Sequence, residues 1–176
     1  MDQIKTKEDL INYFRKGIKK ENQFKIGVEH EKFLFSDNKR VNFETISKIF
    51  NFLKQFGWKT IEEKNNIIAL SKEGKTITLE PGNQIELSGA PLNSIHLTCN
   101  ESYKFLDELK KACSSLNLKM MSTSFDPFSK LKNIPKTPKQ RYEIMTEEMP
   151  KGGELSLEMM YQTCGTQINL DYSSEK

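Results

Sequence analysis

Thr76-Ile77-Thr78-Leu79-Glu80-Pro81-Gly82-Asn83-Gln84-Ile85-Glu86-Leu87-Ser88-Gly89-Ala90-Pro91 is the stretch whose reading decides the fold. Ile77, Leu79, Ile85 and Leu87 fall on one parity, and Thr78, Glu80, Gln84 and Glu86 on the other. Side chains two apart share a face of a β-strand, so the apolar set can enter a core while the polar set points away from it. Pro81-Gly82 interrupts the run as a bulge or bend would, re-aiming the carboxylates on either side. A strand face that carries carboxylates and an amide is either solvated surface or a site. The other strands of the chain decide between the two.

Upstream, Phe24 to Phe35 is rich in β-formers and bounded by polar turns. In a strand, Glu29 and Glu31 share one face with Cα atoms about 7 Å apart, close enough to reach a common ion. His30 falls on the opposite face and reads as a hydrogen-bonded structural histidine. Between these segments, Phe43 to Phe56 places Ile46, Ile49, Phe50, Leu53 and Phe56 at helical spacing, with Gly57 as a stop. Trp58 to Ile61 and Ile67 to Leu70 are short strands around a polar turn, and Lys72 to Lys75 turns again. Connections this short make an antiparallel meander.

Towards the amino terminus, Thr6-Lys7-Glu8-Asp9 has the form of a helix cap, followed by Leu10, Ile11, Phe14 and Ile18 at helical spacing. After Pro91, a helix over about 93–116 carries a stripe of Ile95, Cys99, Tyr103, Leu106, Leu109 and Cys113. Leu118 to Phe125 reads as a strand, and Thr137-Pro138 as the cap and first-turn proline of a helix through Glu148. Glu158 to Tyr172 reads as a strand with Gln167, Asn169 and Asp171 on one parity, and Ser173 to Lys176 as the cap of a further helix. Hairpins with separate helices make the fold class α+β.

Composition narrows the partners. The 176-residue chain has a net charge of only +3, from 27 basic and 24 acidic residues, and no concentrated basic face for nucleic acid. It has neither an apolar run of membrane-spanning length nor the apolar core of a signal peptide at its start, so the expected compartment is the cytoplasm. The cysteines Cys99, Cys113 and Cys164 lack zinc-ligand spacing and read as free thiols. Cys99 and Cys113 lie roughly 20 Å apart along one helix, too far to bridge.

Three strands thus offer polar faces: Glu29 and Glu31; Glu80, Gln84 and Glu86; Gln167, Asn169 and Asp171. Carboxylates and amides are hard oxygen donors suited to Mg2+, and gathered acids repel one another unless a cation neutralises them. Mg2+ commonly joins such acids to nucleotide phosphates, which makes phosphoryl transfer the consistent chemistry. No Gly-rich phosphate loop of the Walker type is present.

Ile26 to Phe33, Leu79 to Pro91 and Met159 to Asp171, with Arg141-Tyr142-Glu143-Ile144-Met145 and Met149-Pro150-Lys151, resemble glutamate–cysteine ligase of the plant and alphaproteobacterial type. The resemblance implies a glutamine-synthetase-like fold, an antiparallel sheet with helices packed outside, incomplete in this chain. Residues 1–176 would form the N-terminal part of a single catalytic domain whose family members are more than twice as long. It implies ATP-dependent ligation of L-glutamate, through a γ-glutamyl phosphate, to L-cysteine, giving γ-glutamylcysteine, the first step of glutathione biosynthesis. The small-molecule partners implied are glutamate, cysteine and ATP, with Mg2+ as cofactor. Glu29, Glu31 and Glu86 match the family's metal-binding acids; Glu80, Gln84, Met160 and Cys164 its substrate side; and Asn169 a position near the phosphates. Cys99 matches a cysteine that forms a regulatory disulfide in plant members. The alternatives are a carboxylate–amine ligase with another acceptor amine, and a non-catalytic amino-acid- or metal-binding half that needs a partner chain.

Overall fold

The computed structural model of the chain describes residues 3–174. Five α-helices and eight strands alternate in the order α1 (Lys7–Arg15), β1 (Ile26–Ser36), β2 (Lys39–Arg40), α2 (Phe43–Leu53), β3 (Lys59–Glu63), β4 (Asn66–Lys72), β5 (Lys75–Leu79), β6 (Ile85–Ser88), α3 (Ile95–Ser115), β7 (Lys119–Met121), α4 (Gln140–Glu148), α5 (Ser156–Gln162) and β8 (Thr166–Leu170). The strands form one sheet in the order β2-β1-β6-β5-β4-β3, and both β7 and β8 also pair with β1. Every pairing is antiparallel, and the short connections from β1 to β2 and along β3-β4-β5-β6 require it there. No helix among the described residues is long and apolar enough to cross a membrane.

Three connections are two-residue loops with both residues at positive φ: Asp37-Asn38, Lys64-Asn65 and Glu73-Gly74. This is the turn geometry that follows the right-handed twist of paired strands. Pro81-Gly82 sits in a fourth reversal. It does not bend a continuous strand, as the alternation suggested, but turns the chain between β5 and β6 so that Thr78 faces Glu86 and Leu79 faces Ile85. Asn83, at φ 59, donates its N–H to the Glu80 carbonyl and closes the turn.

The alternation holds on both sides of the reversal. Ile77, Leu79, Ile85 and Leu87 are all fully buried, together with Ile46, Ile49, Phe50 and Leu53 of α2 and Phe105, Leu109, Ala112 and Cys113 of α3. The helical layer therefore covers one face of the sheet and leaves the carboxylate side free of α2 and α3. Within the core, the Trp58 indole N–H donates to the buried Glu108 carboxylate at 2.7 Å.

Several expectations are corrected. The buried side of α3 is Thr98, Phe105, Glu108, Leu109, Ala112 and Cys113, while Ile95 and Tyr103 are 57% and 69% exposed. Ile95, Cys99 and Tyr103 are spaced by four, and each such step overshoots the 3.6-residue turn, so they drift off the buried face. Residues 158–162 are helical rather than extended: Leu157, Met160 and Tyr161 recur at helical spacing and pack on Ile134 and Met149. The strand expected over Leu118 to Phe125 is confined to β7, with one bridge between Phe125 and Thr163. The cap of α4 is Lys139, not Thr137, because the Thr137 hydroxyl is engaged by the β5–β6 turn. The terminal cap expected over Ser173 to Lys176 extends to Glu175 and Lys176, which lie outside the described residues.

The two faces should respond differently to truncation. Leu87→Ala, in the closed core, should cost about 2–5 kcal/mol in urea unfolding. Ile61→Ala, at a position 40% exposed, should change stability by less than about 0.5 kcal/mol.

Candidate functional site

Strand register brings the predicted acids together on the uncovered face. Glu31 stands opposite Glu86, Glu29 opposite Ser88 on one side and Gln167 on the other, and Asn169 opposite Gly27. Paired residues share a face, so Glu29, Glu31, Glu86, Gln167 and Asn169 form a polar wall. Glu80 extends it at the turn, where its N–H donates to the Gln84 carbonyl at 2.9 Å. His30 lies on the opposite face between Leu87 and Thr166, so it stands apart from the acids. Asp171 lies beyond β8 and accepts bonds from Lys19 Nζ at 2.6 Å and the Lys25 N–H at 2.9 Å.

Each acid of the wall has a donor. Glu86 Oε1 accepts from the Thr78 hydroxyl at 2.8 Å and the Ser88 hydroxyl at 2.5 Å. Glu31 Oε2 accepts from the Gly165 N–H at 2.7 Å. Glu29 Oε1 accepts from Asn169 Nδ2 at 3.1 Å, and Asn169 Oδ1 in turn accepts from Gln167. The single Tyr142 hydroxyl proton is shared between the Leu79 carbonyl at 2.6 Å and Glu80 Oε1 at 3.3 Å. These bonds do not cancel the crowding of charge. Burial raises the Glu31 carboxyl above its ordinary range, and Glu86 and Glu29 add to the rise. Burial likewise raises Glu80, with Glu86 and Glu31 contributing. Lys139 supplies a balancing charge beside Glu80, and burial lowers its own pKa. An all-oxygen set of repelling acids is donor chemistry that a hard divalent cation relieves. Among the described residues, however, no group of three or more His, Cys, Asp or Glu side chains is drawn together as a metal cluster. The acids are turned towards their internal donors instead.

Gln84 and Met160 meet at a helix end. The last carbonyls of a helix have no partner within it, and those of α5 are satisfied from outside. Gln84 Nε2 donates to the Met160 carbonyl at 3.2 Å and the Thr163 carbonyl at 3.0 Å, while its Oε1 accepts from the Gly82 N–H at 2.8 Å. The Asp126 N–H reaches the Gln162 carbonyl at 2.9 Å. Arg40 donates to the Tyr161 carbonyl at 3.4 Å, to the Gly82 carbonyl and to the Asp126 carboxylate at 3.2 Å. A guanidinium and an amide dipole at a helix C-terminus also complement its negative end. The close fit explains Gly82: a Cβ there would lie 2.9 Å from the Tyr161 carbonyl oxygen.

Gln84 is 1% exposed, so its amide is committed to this junction. Met160 is buried against Ile134 and Tyr161, and Cys164 against Phe33, Phe35 and Met121. Burial pushes the Cys164 thiol well up, with Glu31 nearby adding to the rise. All three cysteines are free thiols, Cys99 exposed and Cys113 and Cys164 buried.

Arg40, Asp126 and Lys139 were not among the expected site residues, and Tyr142 was noted only within a motif. The Arg40–Asp126 pair is 1% and 0% exposed, with the guanidinium 4.3 Å from the centre of the Phe33 ring. An arginine in a two-residue strand gives no local sign of such burial. Tyr142 carried a usable signal, an aromatic in a helix following Pro138, but its bond to the Leu79 carbonyl at 2.6 Å is purely tertiary.

Two measurements test this arrangement. Asp126→Ala leaves the buried guanidinium without its counter-charge and should cost about 3–5 kcal/mol in urea unfolding. Glu31→Gln combined with Glu80→Gln should be more stable than the parent at pH 7 and match it well below the ordinary glutamate pKa of 4.5. The sign follows from linkage: a carboxyl raised on folding favours the folded state below its unfolded pKa, and that contribution is lost as pH rises through the folded value. Parallel curves at all pH values would refute the charge crowding.

The family described as "Glutamate-cysteine ligase family 2 (GCS2)" matches residues 25–176. The chain is 44% identical over 173 residues to "Glutamate--cysteine ligase, chloroplastic" of Nicotiana tabacum, covering 97% of this chain and 33% of the relative. It is 45% identical over 174 residues to "Glutamate--cysteine ligase A, chloroplastic" of Oryza sativa subsp. japonica, covering 97% and 35%. To the Arabidopsis thaliana protein named as in tobacco it is 41% identical over 173 residues, covering 97% and 33%. The chain thus spans about a third of the length of these curated relatives. Their chloroplastic names overturn the expected cytoplasmic location. With its family match running through both the carboxylate wall and the helix end pinned beside it, the chain belongs to glutamate–cysteine ligase family 2.

Proposed function

We propose that the chain is the N-terminal part of the catalytic domain of an ATP-dependent ligase that joins L-glutamate to L-cysteine. The observation that carries this reading is the wall of Glu29, Glu31, Glu80 and Glu86 on one sheet face, within a chain that belongs to a ligase family named for this reaction. The antiparallel sheet with α2 and α3 on one side supports a glutamine-synthetase-like architecture, whose remaining strands would come from the rest of a family-length chain.

The chemistry requires activation, because a carboxylate resists attack by an amine. Phosphorylation of the γ-carboxylate of glutamate by ATP gives an acyl phosphate, and the cysteine amine then displaces phosphate to form γ-glutamylcysteine. Glu29, Glu31 and Glu86 would hold Mg2+, which when bound offsets negative charge on phosphates and carboxylates. Thr78 and Ser88 hold the Glu86 carboxylate in place by hydrogen bonds, and the Gly165 N–H holds that of Glu31. Asn169, bonded to Glu29, would share the phosphate side. Glu80 is the candidate for substrate orientation, held by Tyr142 beside Lys139. Gln84 acts by positioning: its amide fixes the Met160–Thr163 segment, and with it the flank that carries Cys164, against the turn. The relatives' names make a plastid the compartment to examine.

In a chain of family length that carries these residues, ADP release should require glutamate and cysteine together. Glu86→Gln should lower kcat by roughly 10²–10³-fold, the range for losing one electrostatic stabiliser. Strong turnover with another amine and none with cysteine would reassign the acceptor. Near-normal turnover in the Glu86 variant would remove that residue from the site.

A further inference from the structure

The turn that carries Glu80 is strapped down by the segment that enters α4. The Thr137 N–H donates to the Pro81 carbonyl at 2.8 Å, and its hydroxyl proton is shared between the Glu80 carbonyl at 2.6 Å and Asn83 Oδ1 at 2.8 Å. Lys139 Nζ donates to the Leu79 carbonyl at 2.9 Å, the oxygen that the Tyr142 hydroxyl also meets at 2.6 Å. The ammonium stands 5.1 Å from the centre of the Tyr142 ring, and the same hydroxyl lies 3.3 Å from Glu80 Oε1. Lys139 and Glu80 are thus tied through one carbonyl and one phenol, and they act on each other through charge rather than by direct contact.

Both groups keep bonding capacity. An ammonium has three N–H donors, and Lys139 spends one of them on Leu79. An ionised carboxylate offers acceptor sites on both oxygens, and among the described residues Glu80 meets only the shared Tyr142 proton, on Oε1. Both side chains are partly buried, and burial works against the charge of each. Two opposite charges held apart at the end of the acid row match the head group of an α-amino acid, whose ammonium and carboxylate flank a single carbon. Each end would then form a charge-assisted hydrogen bond with its opposite.

We infer that Glu80 and Lys139 together form a clamp for the head group of the amino acid that is phosphorylated, Glu80 taking its ammonium and Lys139 its α-carboxylate. The clamp rests on the ligase reading for the identity of that amino acid, glutamate. Of the two amino-acid substrates, glutamate is the one that such a clamp serves. Its reacting γ-carboxylate lies at the far end of the side chain. The head group can therefore be held at the turn while the γ-carboxylate reaches towards Glu29, Glu31 and Glu86. Cysteine reacts through its α-amine, which must lose a proton and attack; an acid that holds it as an ammonium opposes that step.

The test measures binding to a family-length chain that carries these residues, by calorimetry without ATP, so that the clamp is read apart from turnover. Glutamate should bind more tightly than 4-aminobutyrate, which lacks the α-carboxylate, and than glutarate, which lacks the amine. Lys139→Met should weaken glutamate binding by about tenfold or more, the range for losing a hydrogen bond to a charged group. The same variant should leave 4-aminobutyrate unchanged, and Lys139→Arg should restore most of the difference. Glu80→Gln should erase the preference over glutarate in the same way, which keeps the clamp testable if the Lys139 variants fail to fold. A loss shared equally by all three ligands marks a merely structural Lys139 and overturns the clamp. So does the absence of glutamate binding to the parent chain, or a lost preference for cysteine over cysteamine in place of the glutamate effect. A clamp that behaves as expected in a chain releasing no ADP with glutamate and cysteine would count against the ligase reading and still support the clamp.

Discussion

The junction between the β5–β6 turn and the end of α5 is the constraint on which the rest of the structure depends. Four carbonyls, Met160 to Thr163, leave the helix unsatisfied and are met by Gln84, Arg40 and the Asp126 N–H. An unpaired buried carbonyl costs about 1–3 kcal/mol, so these groups must stay together for the segment to be helical in a closed core. Gly82 lies at the contact because a side chain there would enter the Tyr161 carbonyl. Asn83 locks the same turn from the other side, donating its N–H to the Thr137 hydroxyl and its side-chain amide to the Val41 carbonyl. Segments more than forty residues apart thus converge on one short reversal.

That junction sets the geometry of the acid wall. The chain leaving α5 passes Cys164 into the Phe33–Phe35 cluster and presents the Gly165 N–H to Glu31. The Gly165 carbonyl in turn accepts the Glu31 N–H, and Thr166 enters register with His30. The placement of β8, and with it Gln167 and Asn169 beside Glu29, follows from where the helix is anchored. A substitution at Arg40 or Gln84 therefore acts on the wall at a distance, through backbone position rather than through contact.

How much of this was legible in the sequence depends on the range of the interaction. Strand parity is local, and it correctly separated Ile77, Leu79, Ile85 and Leu87 from Thr78 and Glu86, and Glu29 and Glu31 from His30. Two-residue turns kept the meander antiparallel. The reversal at Pro81-Gly82 reads as a bend in sequence because the alternation resumes in phase after it, as it also would in a single strand. Helix α5 gives a weak signal because the seven residues Ser156 to Gln162 span less than two full turns, and no side chain caps its start. Thr137 had the chemistry of a cap, but Glu80 and Asn83 offered its hydroxyl buried partners 57 and 54 residues away. Arg40 carried no local signal at all, since every group it bonds lies at least forty residues along the chain.

The wall itself is a local conflict within an otherwise consistent fold. Apolar alternation, turn geometry and core packing agree, while Glu31 and Glu80 are held where burial and neighbouring acids disfavour their charge. A purely structural surface gains nothing from that arrangement: the same strands would be more stable with amides, which could accept from Gly165 and Tyr142 equally well. Proteins keep such conflicts mainly where function demands them. Thr78, Ser88 and Asn169 moderate the repulsion without removing it, since neutral donors add no positive charge. Lys139 supplies one, but beside Glu80 at the end of the row. Lys32 adds a second positive charge near Glu31, and even so the Glu31 and Glu80 carboxyls stay raised above their ordinary range, so the conflict is eased without being removed.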